Sequence, residues 1–323
     1  MNVAVADELD GRLFTDLSTL ESCCTATRPL YIRTRASHFL PPCSEWKIRV
    51  RSGQRVSHLT AKAVAEEAKN LGPQLLECAG NTRSAHFGMV GVAEWSGVLL
   101  ADVLDRFQVK GSVLISGFDR YEQQSLTSVP GATWVFRECD LRSSGAFLAT
   151  EMNSAPLTPD HGAPIRLIVP QWYGCCCIKW VTGIVSVKSS AKASSQMIEY
   201  AARTGQHGIP DLASDYRPAR IELGAMPIRV EKWQSKGRIR YRVVGIAWGG
   251  TASVISLEIR FNPNEAYRTV LDVRPAEGLR GYWRQWWTPA SRGSYIIQLR
   301  DLANRSKRLD TGYYARVVQI SEV

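Results

Sequence analysis

Short apolar or alternating runs that read as strands outnumber stretches at helical spacing along the 323-residue chain. Trp46-Lys47-Ile48-Arg49-Val50 puts an apolar residue at every second position, the period of a half-exposed strand. Leu30 to Arg33, Gly91 to Val98, Val113 to Asp119, Leu126 to Pro130, Phe147 to Met152, Leu167 to Val169 and Ile178 to Val187 also read as strands. Helical spacing is confined to three places. Leu13 to Leu20 predicts a short helix in a leader, and Leu99 to Phe107 a short amphipathic one. Leu59 to Leu71 carries Ala61, Val64, Ala68 and Leu71 on one face, with a cap near Thr60 and a stop at Gly72-Pro73. Residues 189–224 are polar and without period, a length unusual in a loop unless it works or links.

From Ala225 the pattern changes. Ile228 to Val230, Tyr241 to Trp248, Val254 to Phe261, Arg268 to Val273, Gly281 to Trp287, Tyr295 to Leu299 and Tyr314 to Ile320 predict short strands at turn-like intervals. That spacing argues for an all-β sandwich of immunoglobulin-like size. The expected fold class is therefore α+β: a mixed α+β domain followed by an immunoglobulin-like β-sandwich.

Composition narrows the partners. A net charge of +10 comes from Lys and Arg spread along the chain without a block. This suits a basic funnel for a small anion at least as well as a nucleic-acid surface, and no nucleic acid is expected. The eight cysteines show neither C-x-x-C nor zinc spacing. The runs Cys23-Cys24 and Cys175-Cys176-Cys177 suit a disulfide framework poorly, which favours a reducing compartment. No basic-then-apolar leader stands at the N-terminus and no long uncharged apolar run occurs, so a protein without a membrane span is expected, cytoplasmic, or periplasmic if the start is misassigned.

The candidate chemistry begins at Leu75-Leu76-Glu77-Cys78-Ala79-Gly80-Asn81-Thr82-Arg83. The leucines read as the end of a buried strand and Ala79-Gly80-Asn81 as a tight turn. A thiolate fixed there beside Arg83 suits a soft metal or a nucleophilic step. Taken alone, Cys78 reads more often as a small buried hydrophobe.

Other stretches follow in a set order. They are Tyr31-Ile32-Arg33, the Cys78 stretch, Trp95-Ser96-Gly97-Val98-Leu99-Leu100-Ala101-Asp102-Val103-Leu104, Thr150-Glu151-Met152-Asn153, Pro156 to Arg166, Val169 to Gly174, Ile178-Lys179-Trp180, and Gly245 to Gly250. Together they resemble the sulfite oxidase family of molybdenum enzymes, whose cofactor is a single molybdopterin. The resemblance spans roughly residues 30–320. It implies a leader (1–28), a molybdopterin-binding catalytic domain (29–205) and an immunoglobulin-like dimerisation domain (206–323), hence a homodimer.

By that resemblance Cys78 is the protein ligand to one molybdenum. His38, Asp119, His161, Arg166, Cys177, Ile178 and Lys179 hold the cofactor, Arg33 and Arg83 face a small oxyanion, and Tyr200 makes a hydrogen bond to that oxyanion or to the metal's equatorial oxo group. The segment Arg33-Thr34-Arg35-Ala36-Ser37-His38 must align with a shorter arginine-x-histidine pattern, so Arg35 or His38 could take either role. The implied reaction is oxidation of sulfite to sulfate by oxygen-atom transfer, with a separate electron acceptor such as a cytochrome. Departures from the family pattern leave alternatives. Thr82 replaces the first of two arginines, His86 and Phe87 stand where a tryptophan closes the sulfite pocket, and Cys175-Cys176-Cys177 is unusual. Arg305 and Arg308 are loose matches to a further pocket arginine. The alternatives are another sulfur compound or a sulfoxide as substrate, a non-catalytic molybdopterin-binding protein, and a basic nucleic-acid module.

Overall fold

The computed structural model describes residues 12–22, 24–36, 39–81, 87–118, 132–250, 255–270, 273, 279–303 and 306–323. They form two compact units. The first comprises the described residues of Met1–Thr15, Cys24–Thr82 and His86–Arg220, and the second those of Asp16–Cys23 and Ile221–Val323.

The first unit holds ten strands and four short α-helices among its described residues. The strands are β1 (Lys47–Ser52), β2 (Arg55–Thr60), β3 (Lys69–Glu77), β4 (Val90–Leu99), β5 (Ser112–Gly117), β6 (Thr133–Arg137), β7 (Phe147–Met152), β8 (Ala155–Pro156), β9 (Arg166–Ile168) and β10 (Val181–Val187). The helices are α1 (Ala61–Glu66), α2 (Leu100–Arg106), α3 (Glu138–Ser143) and α4 (Ser195–Tyr200). One sheet runs β2-β1-β10-β5-β6, with β1 and β10 parallel and the other pairs antiparallel. The other runs β3-β4-β7-β8, with β9 pairing onto β7. Alternation does what it predicts in β1: Ile48 and Val50 are buried while Lys47, Arg49 and Arg51 are exposed.

Several elements differ from the sequence expectation. The helix expected over Leu59 to Leu71 is confined to α1. Leu59 still belongs to β2, the Thr60 hydroxyl accepts from Ala63 N–H at 3.2 Å to cap the helix, and β3 has begun by Lys69. Gly72-Pro73 does not stop a helix; it sits inside β3 beside a register shift, with Gly72 at φ 77°. β3 is an edge strand, where a proline costs no ladder bond. Leu13 to Leu20 is not an α-helix: Leu13 bridges Ile32, and Leu17–Thr19 is one 3-10 turn capped by Asp16. The strand expected from Ile178 starts at Val181, because Trp180 adopts φ 51°. Residues 189–224 are not structureless. Ser194 caps α4 by accepting from Met197 N–H at 3.3 Å. Leu126 to Pro130 lies outside the described residues.

The second unit holds seven described strands, β11 (Gly224–Ser235), β12 (Arg238–Trp248), β13 (Leu257–Arg260), β14 (Arg268–Thr269), β15 (Arg280–Trp287), β16 (Gly293–Asp301) and β17 (Arg316–Ile320), with a helical turn α5 (Lys307–Asp310). They form two antiparallel sheets, β11-β12-β15 and β14-β13-β16-β17. Lys236 and Gly237, both at positive φ, make the two-residue turn that lets β11 and β12 run as one long hairpin. Trp287 of the first sheet stacks on Phe261 at 4.3 Å and meets Tyr295 of the second sheet edge-on at 4.7 Å. These rings carry the core between the sheets.

Candidate functional site

Cys78 stands at the end of β3, just past buried Leu75 and Leu76. Its N–H donates to Met89 O at 2.9 Å, and its own carbonyl accepts from Asn81 N–H at 2.9 Å, closing the turn. The Asn81 side-chain oxygen accepts from Gly88 N–H at 3.2 Å and Met89 N–H at 3.3 Å. The thiol is buried, and Gly80 N–H donates to its sulfur at 3.3 Å. Burial pushes the Cys78 thiol up, while the Arg33 guanidinium and the Gly80 N–H pull against it. Burial wins, so the sulfur by itself is a thiol; the cation and the backbone donor offset part of the cost of the thiolate that a metal would take.

Cys78, Arg33, His161, Arg166, Cys177, Ile178, Lys179 and Tyr200 line one cavity, whose empty space including its mouth is about 910 Å³. His38, Arg83 and Asp119 lie outside the described residues. His161 ends the 3-10 turn Pro159–His161, and Gly162 follows at φ 104°. A Cβ on Gly162 would stand 2.9 Å from Arg166 Cβ and 3.2 Å from Lys179 Cβ, so glycine lets three polar residues crowd one corner. Nδ1 of His161 shares a 2.7 Å hydrogen bond with the Thr158 hydroxyl. Burial first, then Lys179 and Arg166, hold the His161 pKa down at about 4, so the ring is neutral near pH 7.

Arg166 opens β9 with its side chain buried. It donates to His161 O at 3.3 Å and Cys177 O at 3.2 Å, and lies over the Trp95 ring at 5.6 Å. Burial holds its pKa below the usual arginine range. Arg166 Nε and His161 Nε2 are buried, and neither has a hydrogen-bond partner in the protein. Arg166 Nε is thus a buried donor in want of an acceptor, and His161 Nε2 donates or accepts according to the tautomer that the Thr158 contact sets. Lys179 Nζ donates to Thr34 O and Asp160 O, each at 2.6 Å, and the Asp160 carboxylate accepts from Ala36 N–H at 2.8 Å. Cys177 reaches the site through its carbonyl; its sulfur lies 3.4 Å from Val169 N, and burial pushes that thiol up to about 11. Burial, then Cys78, push the Tyr200 hydroxyl up, so it stays protonated and able to donate.

The cavity also brings in residues that the sequence reading left unassigned, among them Tyr31, Cys175, Trp180 and Glu199. Tyr31 packs so closely that a Cβ on Gly174 would meet its hydroxyl at 3.1 Å. In the sequence it heads the stretch Tyr31-Ile32-Arg33 without a role of its own. Glu199 precedes Tyr200 on α4, in a stretch where alternation predicts no element. Among the described residues, no group of three or more His, Cys, Asp or Glu side chains could hold a metal ion by itself. A metal at Cys78 needs ligands from a bound group as well.

Residues 38–195 match the family model described as the oxidoreductase molybdopterin binding domain. Over 301 residues the chain is 27% identical to a mitochondrial sulfite oxidase of Drosophila melanogaster, which covers 83% of this chain and 50% of that protein. It is 32% identical over 166 residues to inducible nitrate reductase [NADH] 1 of Glycine max, covering 44% of this chain and 18% of that protein. The chain spans about half the length of the sulfite oxidases it matches. Among solved structures, the sulfane dehydrogenase SoxCD of Paracoccus pantotrophus shares the fold at a TM-score of 0.70 and 16% identity, over 100% of this chain and 90% of that one.

Proposed function

Given that this chain belongs to the sulfite oxidase family of molybdopterin-binding oxidoreductases, we propose that it oxidises sulfite to sulfate by oxygen-atom transfer and passes the electrons to a separate acceptor such as a cytochrome. The observation that carries this reading is the single cavity on which Cys78, Arg33 and Tyr200 stand together with His161 and Arg166.

The residues fit the cofactor. Cys78 offers one soft sulfur to a metal that is otherwise held by the cofactor's own sulfurs. The unpartnered His161 Nε2 and Arg166 Nε, with the Cys177-Ile178-Lys179 segment, would take the cofactor's polar and anionic parts. When bound, molybdopterin supplies the oxygen-atom transfer and the redox change of the metal. The chain's own work is to hold and orient. Arg33 acts electrostatically on both Cys78 and Tyr200, so it sits where an oxyanion substrate would be neutralised. Tyr200, kept protonated, would donate to a substrate oxygen. Neutral His161 can donate or accept without adding a charge beside Arg166. His38, Arg83 and Asp119 remain assigned by resemblance alone.

A second reading within the family, another sulfur compound or a sulfoxide as substrate, draws support from the Cys175 thiol and the Glu199 carboxylate on the cavity wall. Steady-state turnover with ferricyanide across sulfite, thiosulfate and organic sulfinates, and of reduced enzyme with sulfoxides, separates the two. Sulfite as the best substrate supports the first reading; turnover of a sulfoxide or an organosulfur compound without sulfite oxidation overturns it.

We read the second unit as an immunoglobulin-like sandwich that carries a homodimer contact, on the strength of its two antiparallel sheets. Light scattering on purified protein tests this, and a monomer at micromolar concentration would contradict it. No helix among the described residues is long and apolar enough to cross a membrane.

A further inference from the structure

Beside Cys78 stands a cation that the sequence motifs do not single out. A Cβ built on Gly80 would lie 3.3 Å from Arg203 Nη1 and 3.4 Å from Cys78 Sγ. The guanidinium and the thiol therefore each approach the bare Cα of Gly80. Gly80 is not at positive φ, so the turn conformation does not demand glycine there. The space is tight: a Cβ there would press on both groups and require one of them to give by a few tenths of an ångström.

Arg203 reaches this point from the 3-10 turn Ala201–Thr204, which directly follows Tyr200. That turn is stapled. The Thr204 hydroxyl donates to Tyr200 O at 2.9 Å, and Gly205 reverses the chain at φ 70°. Gln206 N–H donates to Ala201 O at 3.1 Å, while its side-chain amide accepts from Arg217 N–H at 2.8 Å and donates to Arg217 O at 3.0 Å. The backbone of Arg203 is thus fixed relative to Tyr200, and its side chain keeps contact with solvent. Arg33 approaches Cys78 from a different segment, far earlier in the chain.

We propose that Arg203 is a substrate-positioning residue that forms, with Arg33, a two-guanidinium clamp for an oxyanion arriving at Cys78, and that position 80 is glycine to admit it. The inference rests on the anionic-substrate reading above. Several oxygens on one small anion can each accept a charge-assisted bond, and two planar guanidiniums offer matched donors. A solvent-accessible arginine contributes chiefly to capture, so its removal should appear in KM rather than kcat.

The test uses molybdenum-loaded protein with Arg203→Ala, Arg203→Lys and Gly80→Ala. Two readouts are taken: sulfite-dependent ferricyanide reduction, and equilibrium binding of sulfate by calorimetry. Arg203→Ala should raise the KM for sulfite and the Kd for sulfate together, by about tenfold, with kcat changed by less than about twofold. Arg203→Lys should recover part of both, and Gly80→Ala should follow Arg203→Ala at full molybdenum content. Wild-type KM and sulfate Kd in Arg203→Ala overturn the clamp while leaving the proposed function standing. If wild type binds sulfate but oxidises no sulfite, the functional reading fails, and the sulfate affinities of the variants still decide the clamp. A wild type that binds no sulfate overturns the clamp outright.

Discussion

Replacing Arg166 by methionine separates what its guanidinium does for the fold from what it does for the cofactor. Arg166 is 5% exposed and donates to the carbonyls of His161 and Cys177 at 3.3 and 3.2 Å. Removing it strips each buried carbonyl of a charged donor, at about 1.5–3 kcal/mol per bond. It also removes a desolvated cation, whose burial costs several kcal/mol. Methionine fills much of the same volume against Trp95, with a sulfur that packs well on a ring. The opposing terms are of similar size, so the cofactor-free protein should change in stability by no more than about 2 kcal/mol. Cofactor binding has no such offset. An anionic group that loses its buried cationic partner loses about 3–5 kcal/mol, a hundredfold or more in affinity. The assay pairs thermal unfolding of protein made in a cofactor-deficient host with molybdenum and pterin content of protein made in a competent one. The expected result is a nearly unchanged midpoint with molybdenum reduced to a small fraction. Wild-type molybdenum content in Arg166→Met would refute the assignment, whatever happens to the midpoint.

His161 has a folded pKa of about 4 against an ordinary 6.5. Protonation therefore favours the unfolded chain, and stability that is full above pH 6.5 is lost as pH falls toward 4, by about 3 kcal/mol in all. His161→Gln should flatten the fall of the cofactor-free unfolding midpoint between pH 7 and 4.5, and an unchanged slope would count against the buried neutral ring. Tyr200→Phe should lower kcat/KM for sulfite by tenfold or more, roughly the effect of losing one oriented donor, at unchanged molybdenum content; wild-type kcat/KM would remove Tyr200 from the site. Gly97→Ala should cost about 3 kcal/mol or more, because its Cβ would run into the Leu148 carbonyl and the Ala149 Cα across the β4–β7 pairing. A wild-type unfolding midpoint in that variant would contradict the tight packing there.

Much of this was legible where one physical signal dominated. Alternation with period two located β1, apolar runs located β7 and β12, and the seven strands expected after Ala225 are found as β11 to β17. Where signals competed, the reading slipped. Ala61, Val64 and Ala68 present one face at helical spacing, yet the helix stops at Glu66 and the chain re-enters a sheet through Gly72-Pro73. An edge strand tolerates that pair, and no local pattern distinguishes an edge strand from a loop. The site shows the same division. Cys78, His161 and Arg166 lie in the ordered motifs and Tyr200 follows by the resemblance from its distance to Trp180, and the fold brings them to one cavity. Glu199, Cys175 and Arg203 carry no motif. Cys175 reaches the cavity on the 3-10 turn Gly174–Cys176. Glu199 reaches it on α4, which the Ser194 hydroxyl caps, and Arg203 approaches Gly80 from the turn that the Thr204 hydroxyl and the paired bonds of Gln206 to Arg217 fold back.

The central claim is that the Cys78 sulfur holds a molybdenum centre in the cavity it shares with Arg33, Arg166 and Tyr200. Metal analysis of wild type and Cys78→Ser, made in a cofactor-competent host and assayed alongside for sulfite-dependent ferricyanide reduction, addresses it most directly. The account predicts one molybdenum per chain and measurable turnover in wild type, with turnover abolished in Cys78→Ser. Wild-type protein without molybdenum, or Cys78→Ser with full turnover, would contradict it.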